Sequence, residues 1–380
     1  MKIIPFLRIA SFSVLALLAS ISAIASDSYG EPFEGWGFVK EDWQLVCDNT
    51  LTCRAAGYSE DGAEWRGSIL MTVVAGEKIP STEVLLNYWD MSEQVITQIE
   101  AQDDPVELWL NDKLYGEVKG SKLTKAQTMQ LINNAKKSTK IVFKIGDYQW
   151  QIPDTGLAAI LLKLDEVQGR VGTPLALVSR NNTNRQQPKP AKAIPKIYAA
   201  MTYPIAEYAS EEVKLSDKQK FYQQLSERYN RKWQDKMSAW VMPTLNDDDR
   251  DSCGILTANS SWVSDDEKLW QFIPIDKDHT LARYLCWRAA YNEGVGYWLI
   301  DNERPTKPKL ITISGSGYSE GEISAAHKGR GLGDCWSVKN WIWDGKAFAV
   351  SNEFTTGMCR GTQAGGAWSL PTYVSAVINP

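Results

Sequence analysis

The sequence predicts an α+β protein of two units. The N-terminal unit, residues 32–180, is an α+β domain, and the C-terminal unit, residues 244–380, is a disulfide-bonded, mostly antiparallel β domain. Three observations predict this. Strand-type alternation and helix-type spacing interleave before residue 180. After residue 244, Gly, Trp and Tyr are dense and turn residues punctuate short apolar runs. Between the units, 181–197 is polar with three prolines. Such a stretch favours extended backbone, so 181–243 reads as a linker followed by a charged helix.

The chain opens with a leader. Lys2 and Arg8 are basic, and Ile9 to Ala19 is apolar apart from Ser11 and Ser13. Ala23-Ile24-Ala25 then supplies small residues at the −3 and −1 positions of a cleavage site, so 1–25 reads as a secretory signal peptide. The apolar run is about half the ~20 residues a membrane span needs. No integral membrane segment is expected once the leader is cut.

In the first unit, Trp43 to Cys47 alternates as a strand, Asp48-Asn49-Thr50 supplies turn chemistry, and Cys53 begins the return. Ser68 to Ala75 is a second strand, rich in apolar and β-branched residues. Val106–Leu110 and Leu114–Val118 flank Asn111-Asp112-Lys113 as a hairpin. Lys125 to Lys137 has helical spacing with Thr124 as N-cap. Ile141–Ile145 is strand-like. A further helix capped by Thr155 carries Leu157, Ile160, Leu161 and Leu164, and stops near Gln168-Gly169.

Ser216 to Ser238 is helical, with Phe221, Leu225, Tyr229, Trp233 and Met237 every fourth residue among charged ones. This stripe packs onto the second unit or docks a partner. The second unit reads as all-β. Its clearest hairpin runs Trp341-Ile342-Trp343, Asp344-Gly345, Phe348-Ala349-Val350.

Composition excludes several function classes. The net charge is −5 at pH 7, and Lys2 and Arg8 leave with the leader. Nucleic acid and anionic membrane are therefore poor main partners. The chain has 2 His residues, too few for a His-rich metal site, and no metal or cofactor is expected. It has 16 Trp. They serve either as core and sheet-face packing or as an exposed platform for sugar rings or a protein anchor.

Six cysteines admit fifteen pairings. The domain layout favours Cys47–Cys53, Cys253–Cys286 and Cys335–Cys359. The first closes a small loop worth roughly 2–3 kcal/mol, the others roughly 3.5–4 kcal/mol. Gly329-Arg330-Gly331-Leu332-Gly333 lacks the Lys-Ser/Thr end of a phosphate loop and reads as a turn beside Cys335. Asp247 to Ser252 resembles the start of a calcium loop. Ser252 stands where that loop needs Gly, and Ala258 where it needs Glu, so this is a solvated acidic linker. His279 and His327 read as turn or surface histidines.

Several strings together resemble a known family. They are Cys47-Asp48-Asn49-Thr50 with Cys53-Arg54-Ala55-Ala56-Gly57-Tyr58, and Asp165 with Gln168-Gly169-Arg170 and Gly172-Thr173. Further on come Tyr291-Asn292, Lys328 through Cys335, Trp343-Asp344-Gly345 and Met358-Cys359-Arg360-Gly361. The chain is similar over about 35–378 to a proteobacterial family of secreted proteins, the domain of unknown function numbered eleven-seventy-six. The resemblance implies a Gram-negative envelope location and brings no activity. The sequence departs from that pattern at Trp287-Arg288-Ala289-Ala290, where a smaller, Gly-containing run is expected.

The function expected is a non-enzymatic periplasmic protein of binding or envelope maintenance, with peptidoglycan, another glycan or an envelope protein as partner. Its contact surface would be Tyr318, Lys328, Arg330, Asp334, Trp336, Trp341, Trp343 and Arg360. Aromatic rings would stack on sugars, and basic groups would meet carboxylates. Two other readings stand beside it. Ser314-Gly315-Ser316-Gly317-Tyr318 is not a nucleophile elbow. It is similar to the Ser-Gly…Tyr string of periplasmic lysozyme inhibitors, with Ser314, Tyr318 and Lys328 as counterparts on a protruding loop. A hydrolase would instead bring an acid pair such as Glu293 and Asp334 to one pocket.

Overall fold

The computed structural model describes residues 36–88, 91–101, 104–178, 187–204, 216–258 and 262–380. The leader, its cleavage site and the start of the linker lie outside the described residues.

The first unit contains two antiparallel sheets. β1 (Trp36–Lys40), β2 (Trp43–Cys47), β3 (Cys53–Tyr58), β4 (Arg66–Val73) and β5 (Ser81–Asn87) form a meander in chain order. After α1 (Glu93–Ala101), the strands β6 (Val106–Leu110), β7 (Lys113–Val118), β8 (Ile141–Ile145) and β9 (Tyr148–Ile152) pair in the order β7-β6-β8-β9. Asn111 and Asp112 take φ 51° and 59°, the left-handed turn such a two-residue hairpin requires. α2 (Lys125–Asn134) starts at Thr124 with a complete capping box. α3 (Leu157–Val167) buries Leu157, Ile160, Leu161 and Leu164 against β1 to β3. Trp43, Leu45, Ile69, Met71, Phe143 and Trp150 join them in one core. The two large indoles keep their donors satisfied: Trp43 Nε1 donates to Pro153 O at 2.7 Å and Trp150 Nε1 to Asn87 O at 3.0 Å.

The cap of α3 differs from expectation. Gly156 occupies it at φ 100°, and a Cβ there would lie 2.0 Å from Lys40 O. Thr155 instead donates to Asp42 Oδ2 at 2.8 Å.

The end of α3 is fixed by a buried polar network. Asp165 and Arg170 are fully buried and 3.6 Å apart. Asp165 accepts from the N–H groups of Leu177 and Val178. Arg170 donates to Leu175 O and Gln168 Oε1. Gln168 Nε2 reaches Leu51 O and Val73 O at 2.8 and 2.9 Å, tying the network to the first sheet. A buried ion pair is tolerable when its lone pairs and protons are answered this fully.

The second unit is layered helix, sheet, sheet. β10 (Lys196–Tyr198) precedes α4 (Asp217–Val241) in the sequence, and α4 is capped by Ser216 with Gln219. α5 (Asp247–Ser252) and α6 (Gly254–Thr257) follow. β11 (Gln271–Pro274), β12 (His279–Arg288), β13 (Glu293–Asp301) and β14 (Lys309–Gly315) make one sheet in chain order. β15 (Gly317–Ser319), β16 (Glu322–Lys328), β17 (Trp336–Trp343), β18 (Phe348–Thr355) and β19 (Leu370–Val374) make the next. β20 (Ala376–Ile378) pairs in parallel with β10. Alternate residues separate the two cores. Trp298 and Ile300 face Trp233, Met237 and Val241 of α4. Tyr297 and Leu299 face Ile323, Trp341 and Trp343 of the second sheet.

Residues 247–257 are helical, which corrects the all-β and acidic-linker expectations. Asn246 Oδ1 accepts from Asp249 N at 2.7 Å, and three aspartates fill the first turn of α5. Carboxylates are stabilising at that end of a helix. The helices are too short to show an amphipathic period.

The three expected disulfides are present, and no cysteine is free. The described part of the linker is tied to the first unit: Lys189 N donates to Gln168 O, and Lys192 N to Thr50 O.

The α4 stripe divides by burial. Trp233 is in the core, whereas Phe221 is 57 % exposed. Trp233→Ala should lower stability by about 3–5 kcal/mol in denaturant unfolding. Phe221→Ala should stay within about 0.5 kcal/mol of the parent.

Candidate binding surface at the Cys335–Cys359 loops

Two loops converge at one end of the second unit. One joins β16 to β17 and the other leaves β18, and the Cys335–Cys359 bond links them. Gly329 permits this: a Cβ there would sit 2.8 Å from Cys335 Sγ and 3.0 Å from Cys359 Sγ. Gly333, at φ 69°, turns its carbonyl to two donors. Trp336 Nε1 reaches it at 2.9 Å and Gly365 N at 2.8 Å. The Trp336 ring is thereby fixed half-buried beside the loop. Lys328 places its ammonium 5.4 Å from the centre of that ring, within cation–π range. Its backbone is clamped by Asn292, whose side chain accepts from Lys328 N and donates to Lys328 O, both at 2.9 Å. Tyr291 lies against Gly331 and is 47 % exposed, and Leu332 at the tip is 78 % exposed.

Beneath these groups lies a charged clamp. Arg330 donates to both oxygens of Asp334, at 2.8 and 2.6 Å. Gly361 N donates to the same carboxylate at 2.6 Å. The guanidinium, and secondarily Gly361, hold Asp334 below the usual carboxylate range against the opposing effect of burial. Arg360 reaches across to Asp42 of the first unit at 3.0 Å. Arg330 also lies 3.9 Å from Asp61.

Lys328, Arg330, Asp334, Trp336 and Arg360 therefore lie on or beside the same pair of loops. Their roles divide. Arg330, Asp334 and Arg360 already meet internal partners, so these two arginines join loops and units. Lys328 and Trp336 remain presented to solvent. Tyr291 and Leu332 stood in the family strings but not in the expected contact surface, although a turn between two strands is where exposed side chains collect.

Tyr318, Trp341 and Trp343 do not belong to this surface. They are 3, 4 and 1 % exposed, in the core between the two sheets. The cause is strand periodicity. Trp341 and Trp343 are two apart on β17, so both point to the face that the first sheet covers. Among the described tryptophans whose side chains are placed, Trp262 alone is exposed, and packing accounts for most of the others.

Two further expectations are corrected. Ser314 is buried in β14, with its hydroxyl 3.3 Å from Trp287 Nε1. Tyr318 is pushed up to about 12 by burial. The string from Ser314 to Tyr318 is thus strand interior at both ends, not the protruding loop an inhibitor needs. His327 is buried, not at the surface. Its Nε2–H donates to Glu293 O at 3.2 Å, and its ring lies 5.1 Å from that of Trp287. Burial lowers its pKa.

The acid pair also fails as a general-acid centre. Glu293 is bound by Arg288 at 2.9 Å, and Asp334 is held ionised, whereas a general acid needs a raised pKa. No group of three metal-ligating side chains occurs among the described residues.

Residues 38–375 match the family described as "Protein of unknown function (DUF1176)". The chain belongs to this family. No curated protein and no solved structure matches it. The strings that carried the family resemblance now have places. Asp165, Gln168 and Arg170 build the buried network, and Lys328–Cys335 with Met358–Gly361 build the paired loops.

Two predictions follow from this geometry. A double-mutant cycle of Arg360→Ala and Asp42→Ala should give a coupling of about 1 kcal/mol, the upper end for partly exposed pairs. Burial lowers the His327 pKa in the folded chain, so the unfolded chain takes up the proton more readily as pH falls through the ordinary value of 6.5. Its contribution to stability is therefore complete above that value and lost as pH falls below it. Thermal melts between pH 7 and pH 5 should show the parent losing more stability than His327→Gln, which keeps a donor for Glu293 O.

Proposed function

We propose that the protein is exported to the periplasm of a Gram-negative cell. There it acts without catalysis, binding an envelope glycan on the surface formed by Lys328, Trp336, Tyr291 and Leu332. One observation carries the reading: the half-buried Trp336 and Lys328 are pre-fixed on backbone that a disulfide and an Arg–Asp clamp hold in place. Little ordering entropy is then lost when a ligand docks. The Trp336 face suits a sugar ring, and the Lys328 ammonium suits a carboxylate on the same polymer. Support for export comes from the leader-like residues 1–25 and from six cysteines all engaged in disulfides, which persist in oxidising compartments. Among the described residues no helix is long and apolar enough to cross a membrane.

The test is co-sedimentation with intact peptidoglycan sacculi at moderate salt. The parent should pellet with sacculi. Trp336→Ala and Tyr291→Ala should each weaken binding by roughly tenfold, about 1.4 kcal/mol, and Tyr291→Ala should melt as the parent does. A parent that stays in the supernatant, or variants that pellet equally, would overturn the reading.

A further inference from the structure

The sheet built by β15 to β19 has two faces of different character. Trp341 and Trp343 point to the core shared with the β11–β14 sheet. Trp336, Val338, Asn340 and Ile342 alternate with them along β17 and take the opposite face. Residues directly opposite on neighbouring strands share a face, so the register sets out rungs across it. Lys328 pairs with Trp336, Val338 with Phe354, and Ile342 with Glu322. Between the last two lies a polar rung of Ser324, Asn340 and Asn352.

Three observations mark this face as a contact surface. Trp336, Val338, Ile342 and Phe354 are half-buried, yet among the described residues none of them belongs to a buried core or packs against one. Ser324, Asn340 and Asn352 have no side-chain hydrogen bond among the described residues. The Oδ1 of Asn340 is buried as well as unpaired, an uncommon state for an acceptor. Finally, Glu322, Ser324 and Ile342 line a cleft of about 600 Å³ together with Ala199 and Asn379. This is the size of a small-ligand pocket. From Trp336 to that cleft the face runs about 20 Å along β17.

We propose that this face binds a neutral stretch of a linear polysaccharide, laid along β17 from Trp336 to the cleft. The inference rests on the reading of Trp336 as a glycan platform and extends it to a track several sugars long. The chemistry of the rungs selects the occupant. A sugar ring has an apolar C–H face and a rim of hydroxyls. Trp336, Val338 and Phe354 suit the apolar face. The amides and hydroxyl of the polar rung can both donate and accept, as a hydroxyl rim requires. Lys328 and Glu322 stand at opposite ends of the track, so it does not favour a polyanion. A protein partner is disfavoured because a polar rung crosses the patch, whereas the buried centre of such an interface is apolar.

The test is calorimetric titration of the full chain with β-linked N-acetylglucosamine oligomers, from the monomer to the hexamer. Affinity should rise about tenfold or more from dimer to tetramer. It should change by less than about twofold between roughly 0.05 and 0.5 M salt, since the ligand is uncharged. Asn340→Ala and Asn352→Ala should each cost about tenfold for the tetramer. Both should melt close to the parent, because neither side chain has a hydrogen bond to lose among the described residues. The proposal fails if no oligomer binds, if the tetramer binds no tighter than the dimer, or if both variants bind it as the parent does. It also fails if sedimentation velocity gives a dimer that Phe354→Lys dissociates, since the face would then be a contact between copies. Sacculus binding that depends on Trp336 and Tyr291 but not on Asn340 or Asn352 would remove the track and leave the platform standing, so the two readings fail separately.

Discussion

The seam between the two units is the constraint on which the remaining architecture rests. Val46, Ala56 and Tyr58 of the first sheet form a buried cluster with Leu370 of β19. Backbone crosses this seam at very close range, since a Cβ on Gly357 would lie 2.3 Å from the Tyr58 hydroxyl. Only glycine, here at φ 104°, allows that approach. Polar contacts surround the cluster. Trp368 Nε1 donates to Ser68 Oγ at 2.7 Å, and Asn49 exchanges two hydrogen bonds with Val374. Arg360 and Asp42 close one side. The paired loops inherit their rigidity from this seam, because Gly361, which binds the Asp334 carboxylate, is also held by Arg66 of the first unit.

The chain thus spends many of its charged and aromatic residues on closure. Arg170, Arg330 and Arg360 each answer an internal carboxylate. Lys339 sits 3.6 Å from Glu353 in the second sheet, where Thr372 also donates to the Glu353 carboxylate. Breaking one partner of such a pair leaves a charge stranded in low dielectric. That cost explains why strings rich in Arg, Asp and Gly belong to the scaffold here, although they read as ligand-binding in a linear sequence. The residues left over for contact are fewer, and Tyr291 and Leu332 lie at loop tips.

How much of this was legible depends on whether the signal is local. The 106–118 hairpin, the cap of α2 and the three disulfides follow from turn chemistry, capping residues and layout, and the structure has them. The cap of α3 was misread because Gly156 answers a distant neighbour, Lys40 O. The orientation of Trp341 and Trp343 had a partial local signal: a spacing of two puts both on one face. Which face is covered depends on a second sheet, and no short window holds that information. His327 was misjudged for the same reason, since Trp287 buries it from another strand.

The span of the seam has a consequence for the order of folding. Trp368 and Ser68 are 300 residues apart in the chain, and Asn49 and Val374 are 325 apart. Such contacts close only after the intervening loop entropy has been overcome, which makes them late events. The first unit can assemble its own sheets and its Cys47–Cys53 bond well before then. During that interval Val46, Ala56 and Tyr58 face water, on a sheet with a nearly finished interior. Until β19 closes over it, that flank is an apolar surface of the kind that promotes association between incompletely folded chains.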